Sequence, residues 1–320
     1  MKNNSVEFVE NIDLVYLWCD GDEPEFKKVR QEAFEKYHNV KLDSEGCSDF
    51  RFIQMDELKY SLRSVEKYAP WVRNIYIVTY KQVPSWLNID HPKIKIVDHS
   101  EIIPQQYLPT FNSTAIEVFL PQIPNLSEYF LFANDDMFFW GEVAPDFFFT
   151  KEGAPICRTS KRITKAPTKS LFGLMVYKGY KLVLDKFGKD VPYWSHHGID
   201  SYRKSDYLEC IGHFKEEFEQ TASHQFRENT DVQRMIVSYY AVAEKGAVIK
   251  EYPRRWYDKF ITRINETCYS SCTKKKMKRF RGKKFQLFCI NDGPKAKDSD
   301  RLYMKELLEE KFPEKSQFEK

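Results

Sequence analysis

The chain has 320 residues, of which 42% are hydrophobic and 16% aromatic, and its 50 Lys and Arg nearly balance 47 Asp and Glu, for a net charge of +3. This apolar content excludes disorder over most of the chain, and the balanced charge excludes a dedicated nucleic-acid binder. Seven scattered cysteines do not fit the disulfide framework of a small secreted domain. With no signal segment and no run of about 18 apolar residues, we expect a cytoplasmic protein, soluble or peripheral at the inner face of the membrane.

Four largely apolar segments in the first half predict buried strands: Ile12 to Trp18, Ile75 to Thr79, Ile94 to Val97 and Tyr129 to Ala133. Between them, helices are predicted from Asp56, as N-cap, to Tyr68 and from about Thr114 to Leu120. Strands that alternate with helices indicate an α/β fold with a mostly parallel sheet flanked by helices.

Acidic residues follow the first and the last of these strands. Asp20-Gly21-Asp22 ends the first run, and Asn134-Asp135-Asp136 ends the last. Because the carboxyl ends of parallel strands share one edge of a sheet, both clusters are expected on one rim. Paired carboxylates there could hold Mg²⁺ or Mn²⁺, with a substrate diphosphate completing the shell. Taken alone, Asn-Asp-Asp is more often an ordinary turn.

The second half has a different pattern. A basic stretch from Arg158 to Lys169 predicts a mobile loop, and Lys204 to Phe218 reads as helical. We therefore divide the chain into an α/β part, residues 1–150, and a loop with a mainly helical part, residues 151–320, that completes the same catalytic unit. The basic run of residues 274–284 is a solvated face or, alternatively, a patch for anionic lipid or a phosphate-rich acceptor.

Several polar side chains could carry chemistry, each with a plainer alternative. Glu117 fits a capping box that starts at Thr114. His196, His197 and Asp200 form a cluster in which an imidazole, with an ordinary pKa near 6.5, could act as a general base or be merely structural. Arg227 could clamp a phosphate or pair with Asp231 on the surface. Cys268 and Cys272 lack the second pair that a zinc site needs.

The sequence resembles the Stealth family of capsular polysaccharide phosphotransferases. Its first conserved region is similar to IDLVYLWCDG at residues 12–21, with Cys19 in place of the usual Val. The second resembles residues 56–139, which include DELKYSLRSVEKYAPW and FANDDMFF. The third resembles HHGID and HQFRENTDVQ within residues 196–233, and the fourth CINDG and FPEKSQFEK within residues 289–320. Departures occur at Lys59 and at Tyr80-Lys81, where the family has Arg and Asn-Gly.

The resemblance implies a glycosyltransferase-A-like fold that binds nucleotide sugars and a Mg²⁺-dependent or Mn²⁺-dependent transfer of hexose-1-phosphate. The donor would be a nucleotide sugar, commonly a UDP-sugar, and the acceptor a hydroxyl of a polysaccharide or oligosaccharide, free or lipid-linked. Carried over by position, the resemblance assigns catalysis to His197, Arg227 and Glu117, substrate binding to Asp20, Gly21, Asn112 and Asn291, and the metal to Asp135, Asp136 and Asp292.

Two other functions stay open from the residues alone. A conventional metal-dependent glycosyltransferase would use the same acidic clusters but release UDP instead of UMP. A carbohydrate-binding protein without catalytic activity would use aromatic grooves and need neither His197 nor a metal.

Overall fold

The computed structural model describes residues 11–37, 52–167, 170–251, 267–282 and 284–320. Within them the strands are β1 (Ile12–Leu17), β2 (Ile75–Thr79), β3 (Ile94–Asp98), β4 (Tyr129–Asn134), β5 (Met137–Phe139), β6 (Ile156–Arg162), β7 (Tyr193–Ser195), β8 (Asp200–Arg203), β9 (Val248–Glu251), β10 (Thr267–Ser271) and β11 (Leu287–Asn291). The helices are α1 (Pro24–Lys36), α2 (Glu57–Tyr68), α3 (His99–Ile102), α4 (Ser113–Glu117), α5 (Leu171–Phe187), α6 (Lys204–His213), α7 (Lys215–Ser223), α8 (Met235–Glu244), α9 (Lys274–Met277) and α10 (Asp298–Lys311).

The central sheet has five strands in the order β3-β2-β1-β4-β8. The first four are parallel, and β8 runs antiparallel to β4. Alternate residues of β1 face opposite sides: Leu14 and Tyr16 pack with α2, and Val15 and Leu17 pack with residues of α5 and α8. The α/β class and the mostly parallel sheet are confirmed.

The four predicted strands of the first half are confirmed to within one residue, and so is α2, which has Asp56 at its N-cap position and ends at Tyr68. The Asp56 side chain makes no capping hydrogen bond; it pairs with Lys59 at 3.1 Å and with Lys305 at 2.9 Å. α4 covers only Ser113–Glu117 and is capped by Asn112. The predicted extension to Leu120 is wrong, since a short 3₁₀ turn begins there.

Strands of the second half join those of the first. β8 extends the central sheet, β11 pairs with β5, and β6 forms a further sheet with β7 and β9. The prediction of a mobile loop in the basic stretch is wrong for residues 156–162, which form β6. Arg158 is 6% exposed, and its guanidinium lies 3.6 Å from the centre of the Phe147 ring. Lys169 lies outside the described residues.

Part of the basic run is folded against the rest of the chain. Residues Lys274–Met277 form α9, and Met277 is fully buried among aromatic and aliphatic side chains that include Phe288 and Met304. Contact of this run with a membrane stays a prediction. In the part of the chain that the structure describes, no helix is long and apolar enough to cross a membrane.

Candidate active site

A cavity of about 680 Å³ opens at the carboxyl end of the central sheet. Leu17 of β1, Val78 of β2 and Asn134 of β4 lie at its base, and residues 271–276 and 290–296 form another wall. Ligands of parallel α/β sheets bind at this edge.

The structure brings some of the predicted site residues together and leaves others apart. Those that line the cavity are Asp135, Asp136, Arg227, Asn291 and Asp292. Asp20 and Gly21 line neighbouring grooves. Asn112, Glu117 and His197 are not part of the cavity wall.

Asp135 and Asp136 occupy the turn between β4 and β5. Gln54 Nε2 donates to Asp135 Oδ2 at 2.8 Å, and Asn291 Nδ2 donates to Asp136 Oδ2 at 3.1 Å. The other oxygen, Asp136 Oδ1, is buried and accepts no hydrogen bond from the described residues. Burial raises the pKa of both carboxyl groups, and the charge of Asp135 adds to the rise at Asp136, whose pKa is about 7.

A third buried carboxyl group, Glu57, lines the same cavity. Burial, and then the charge of Asp135, raise its pKa to about 8. Like charges this close resist ionising together, a cation would favour the ionised form, and carboxylate oxygens are ligands that suit Mg²⁺ or Mn²⁺. Among the described residues, no group of three or more His, Cys, Asp or Glu is arranged so that it could hold a metal ion. Substrate oxygens would therefore have to complete the shell.

Asn291 and Asp292 reach the cavity because β11 pairs with β5. Asp292 Oδ2 accepts from Arg301 Nε at 2.8 Å, and its Oδ1 accepts from the Gly293 N–H at 2.6 Å. This ion pair already balances the charge of Asp292, so its assignment as a metal ligand stays a prediction.

Cations line the cavity as well as carboxylates. Arg227 donates to the hydroxyl of Ser113, and Lys276 Nζ donates to Ser271 Oγ at 2.6 Å. Guanidinium and ammonium groups bind phosphate oxygens through charge-assisted hydrogen bonds. A cavity with paired carboxylates and cations can hold a diphosphate together with its metal ion.

His197 follows β7 and packs edge-to-face against Phe172, with ring centres 5.9 Å apart. Burial lowers its pKa to about 3, helped by the nearby charges of Arg234, His196 and Arg227. This value lies well below the one near 6.5 that an unperturbed imidazole has. The imidazole is neutral at neutral pH, which is the form that accepts a proton. Arg227 connects the two regions, because it lines the cavity and its charge acts on His197.

Glu117 belongs to a buried ion network. Arg234 Nη1 lies 3.3 Å from Glu117 Oε1, and Arg234 Nη2 lies 2.8 Å from Asp200 Oδ2. The capping-box interpretation of Glu117 is wrong, because α4 begins at Ser113 and ends at Glu117. Since Arg234 also acts on His197, Glu117 is placed to influence that imidazole through Arg234; its direct catalytic role stays a prediction.

Asn112 and His224 hold Asp231. Asn112 Nδ2 donates to Asp231 Oδ2 at 2.8 Å, and His224 Nδ1 lies 2.6 Å from Asp231 Oδ1, a hydrogen bond that raises the His224 pKa. Asp231, the surface partner considered for Arg227, thus pairs with His224, and Arg227 donates a hydrogen bond to the Ser113 hydroxyl. The network anchors the segment that carries Arg227. Asn112 is fully buried, and its contact with the donor stays a prediction.

Gly21 allows two segments to approach closely. Its N–H donates to the Phe52 carbonyl at 3.0 Å, and a Cβ at this position would lie 2.3 Å from Phe52 Cβ. A side chain would therefore push apart the loop after β1 and the segment that carries Gln54.

We expect Gly21→Ala to lower the free energy of unfolding by about 1–3 kcal/mol, the usual effect of overpacking. Gly212→Ala is the matched control, because Gly212 lies in α6 with no atom within 4 Å of the new Cβ. It should be neutral or stabilising by up to about 1 kcal/mol. Urea unfolding measures both, and equal stability of the two variants would contradict the close approach at Gly21.

Sequence reasoning missed Glu57, Gln54, Lys276 and Arg234. Glu57 reads as a first-turn helix residue, and its place beside Asp135 depends on how α2 packs against β5. Lys276 belongs to the basic run of residues 274–284, and the sequence does not distinguish it from the other basic residues there. For Arg234, the signal was its position one residue after the segment that resembles the third conserved region.

Comparisons with known proteins identify the family. Residues 51–157 match "Stealth protein CR2, conserved region 2", and residues 196–243 match "Stealth protein CR3, conserved region 3". The capsular polysaccharide phosphotransferase WcwK of Streptococcus pneumoniae is 30% identical over 351 residues, which cover 100% of both chains. The chain belongs to the Stealth family. The resemblance stated from sequence is thereby confirmed.

Other Stealth relatives are longer than this chain. The exopolysaccharide phosphotransferase CpsY of Mycobacterium tuberculosis is 36% identical over 329 residues, which cover 98% of this chain but 59% of the relative. SCO6021 of Streptomyces coelicolor, also named an exopolysaccharide phosphotransferase, is 33% identical over 320 residues, which cover 97% of this chain and 57% of the relative. The chain thus spans little more than half the length of these relatives.

Among solved structures, the galactosyltransferase LgtC in complex with donor and acceptor sugar analogues is similar to this chain. The TM-score is 0.46 at 12% sequence identity, covering 94% of this chain and 95% of LgtC. At that score the likeness carries no inference about function.

Proposed function

We propose that this Stealth protein transfers a hexose-1-phosphate from a nucleotide sugar to a hydroxyl of a growing polysaccharide. The observation that carries the proposal is that Asp135 and Asp136 line the same cavity as Arg227 and Lys276. The relatives are named exopolysaccharide and capsular polysaccharide phosphotransferases, which supports the same class of reaction.

The residues at the acidic turn fit a divalent cation. Asp135 and Asp136 would hold it, since Asp136 Oδ1 is buried without a hydrogen-bond donor in the described residues. When bound, Mg²⁺ or Mn²⁺ supplies positive charge against the diphosphate of the donor. Gln54 and Asn291 orient the two carboxylates from either side.

The chain's own groups account for the remaining steps. Arg227 and Lys276 bind the phosphate oxygens and hold the phosphorus in line with the acceptor hydroxyl. An imidazole nitrogen of His197 takes the hydroxyl proton as the new P–O bond forms. The bond between that phosphorus and the oxygen of UMP breaks, and UMP leaves. Positioning and charge neutralisation supply most of the acceleration in such transfers.

A conventional glycosyltransferase could use the same acidic turn, but it would break the bond at the anomeric carbon and release UDP. We expect incubation with a panel of UDP-sugars, Mg²⁺ and the polysaccharide of the source organism to yield UMP that depends on both sugar and metal. Chromatography of the nucleotide products measures this. UDP as the main product would replace the proposal by glycosyl transfer, and absence of any turnover would favour a binding protein.

A further inference from the structure

A second groove, of about 660 Å³, lies beside the main cavity. The two share Trp18, Phe26 and Gln54 in their walls. Trp18 Nε1 donates to Gln54 Oε1 at 3.0 Å, and Gln54 Nε2 donates to Asp135 at 2.8 Å. One hydrogen-bonded chain therefore joins the wall of this groove to the acidic turn where the reaction is proposed to occur.

The groove combines aromatic rings with acidic groups. Trp18, Tyr80 and Trp86 are half-buried in its wall. Its acidic residues outnumber its basic ones: Asp20, Asp22, Glu23, Glu25 and Asp56 against Lys81 and Lys305. An excess of negative charge disfavours a nucleotide phosphate, whereas carboxylates accept hydrogen bonds from sugar hydroxyls and aromatic rings offer flat apolar faces.

The groove is held rigid by contacts between the loops after β1 and β2. Gln82 Oε1 accepts from the Asp20 N–H at 3.0 Å, and Gln82 Nε2 donates to the Asp20 carbonyl at 2.9 Å. The Tyr80 ring packs against Phe26 and His99, each at 6.0 Å between ring centres. A preformed wall lowers the entropy lost on binding.

Lys81 occupies an unfavourable backbone conformation in this wall. Its φ is +52°, a region that favours glycine, and its N–H donates to Asp98 Oδ2 at 2.6 Å. Strain of this kind persists where the surroundings enforce it and is common in binding sites.

We propose that this groove binds the acceptor glycan, as a neutral or amino-sugar chain, and that Tyr80 and Lys81 select among glycans. The inference rests on the proposed function for the direction of transfer. Bound there, the glycan would extend towards Asp135 and present its hydroxyl at the main cavity.

The test is binding of the purified protein to an array of neutral, amino-sugar and acidic oligosaccharides, with dissociation constants measured by tryptophan fluorescence for those retained. We expect the wild type to retain neutral or amino-sugar chains and Trp86→Ala to bind them about tenfold more weakly. Lys81→Gly should keep or raise the melting temperature while weakening or redirecting glycan binding. Tyr177→Ala, a half-buried aromatic on α5 outside the groove, should bind as the wild type does.

Retention of no glycan, retention of acidic glycans alone, or displacement of the bound glycan by UDP would overturn the proposal. Glycan binding that is unchanged in both Trp86→Ala and Lys81→Gly would also overturn the proposal. If Trp86→Ala does not fold, glycan binding by Lys81→Gly decides the test. UMP release from a UDP-sugar is assayed on the same preparations. UMP release without glycan retention would refute glycan binding in the groove but not the proposed function. Glycan retention with UDP release would refute hexose-1-phosphate transfer but not glycan binding in the groove.

Discussion

Asp135→Asn and Asp136→Asn are each expected to lower turnover by about 10³-fold or more, because each removes a charged ligand for the metal ion that neutralises the donor diphosphate. Calorimetric titration with Mn²⁺ should show weaker metal binding in both variants. Asp90→Asn is the matched control, since Asp90 is an exposed acid outside the cavity. Full activity with unchanged metal affinity in both variants would contradict the metal assignment.

The metal-free Asp136→Asn variant should be more stable than the wild type although it is less active. The Asp136 pKa is about 7 in the folded protein, well above the value near 3.9 of an unfolded chain. The folded state therefore keeps a proton that the unfolded chain releases, and raising the pH from about 4 to 7 costs stability. Without metal at pH 8, Asp136→Asn should have a higher melting temperature than the wild type. Added Mn²⁺ should stabilise the wild type more than the variant.

His197→Ala is expected to lower the rate by roughly 10²- to 10⁴-fold while donor binding persists, since it removes the proton acceptor and leaves the cavity wall intact. Donor affinity from fluorescence titration and single-turnover rates separate the two effects. His196→Ala and His224→Ala test the two histidines nearest in sequence as alternative proton acceptors. A variant that loses activity only in proportion to its unfolded fraction would make His197 a structural residue.

The pH dependence sharpens this prediction. With a pKa of about 3, His197 should produce no acidic limb in kcat/KM, which reports the free enzyme, between pH 5 and 8. The anionic donor offsets the positive charges of Arg227 and Arg234 and so raises the pKa of His197 in the enzyme–donor complex. The acidic limb of kcat should therefore lie at a higher pH than any acidic limb that His197 produces in kcat/KM. A limb in kcat/KM near pH 6.5 that disappears in His197→Ala would show that the free imidazole has its ordinary pKa.

Four of the five strands of the central sheet were predictable because they are largely apolar segments, which are typical of buried strands. The fifth, β8, has the sequence DSYR and shows no such pattern. The rule that parallel strands end on one edge likewise placed Asp135 and Asp136 correctly on that rim. Both inferences need only local sequence and one topological principle.

The rest of the cavity depends on long-range packing that no local pattern reveals. Asn291 at the end of β11 and Lys276 on α9 after β10 reach the cavity wall because β11 pairs with β5, which lies more than 100 residues earlier in the chain. A basic stretch with Pro and Thr predicts a mobile loop that includes Arg158, yet this guanidinium packs against the Phe147 ring. The low pKa of His197 likewise arises from burial in the folded chain, helped by the charges of Arg234 and Arg227, which are distant in sequence.

The fate of the sugar-linked phosphate tests the central claim most directly. A UDP-sugar that the protein uses, labelled with ³²P in the phosphate that carries the sugar, is incubated with enzyme, Mg²⁺ and acceptor polysaccharide, and the polymer is separated from nucleotides. Transfer of hexose-1-phosphate predicts that the label enters the polymer together with the sugar and that the released UMP is unlabelled. Sugar incorporated without label, with the ³²P recovered in UDP, would contradict it.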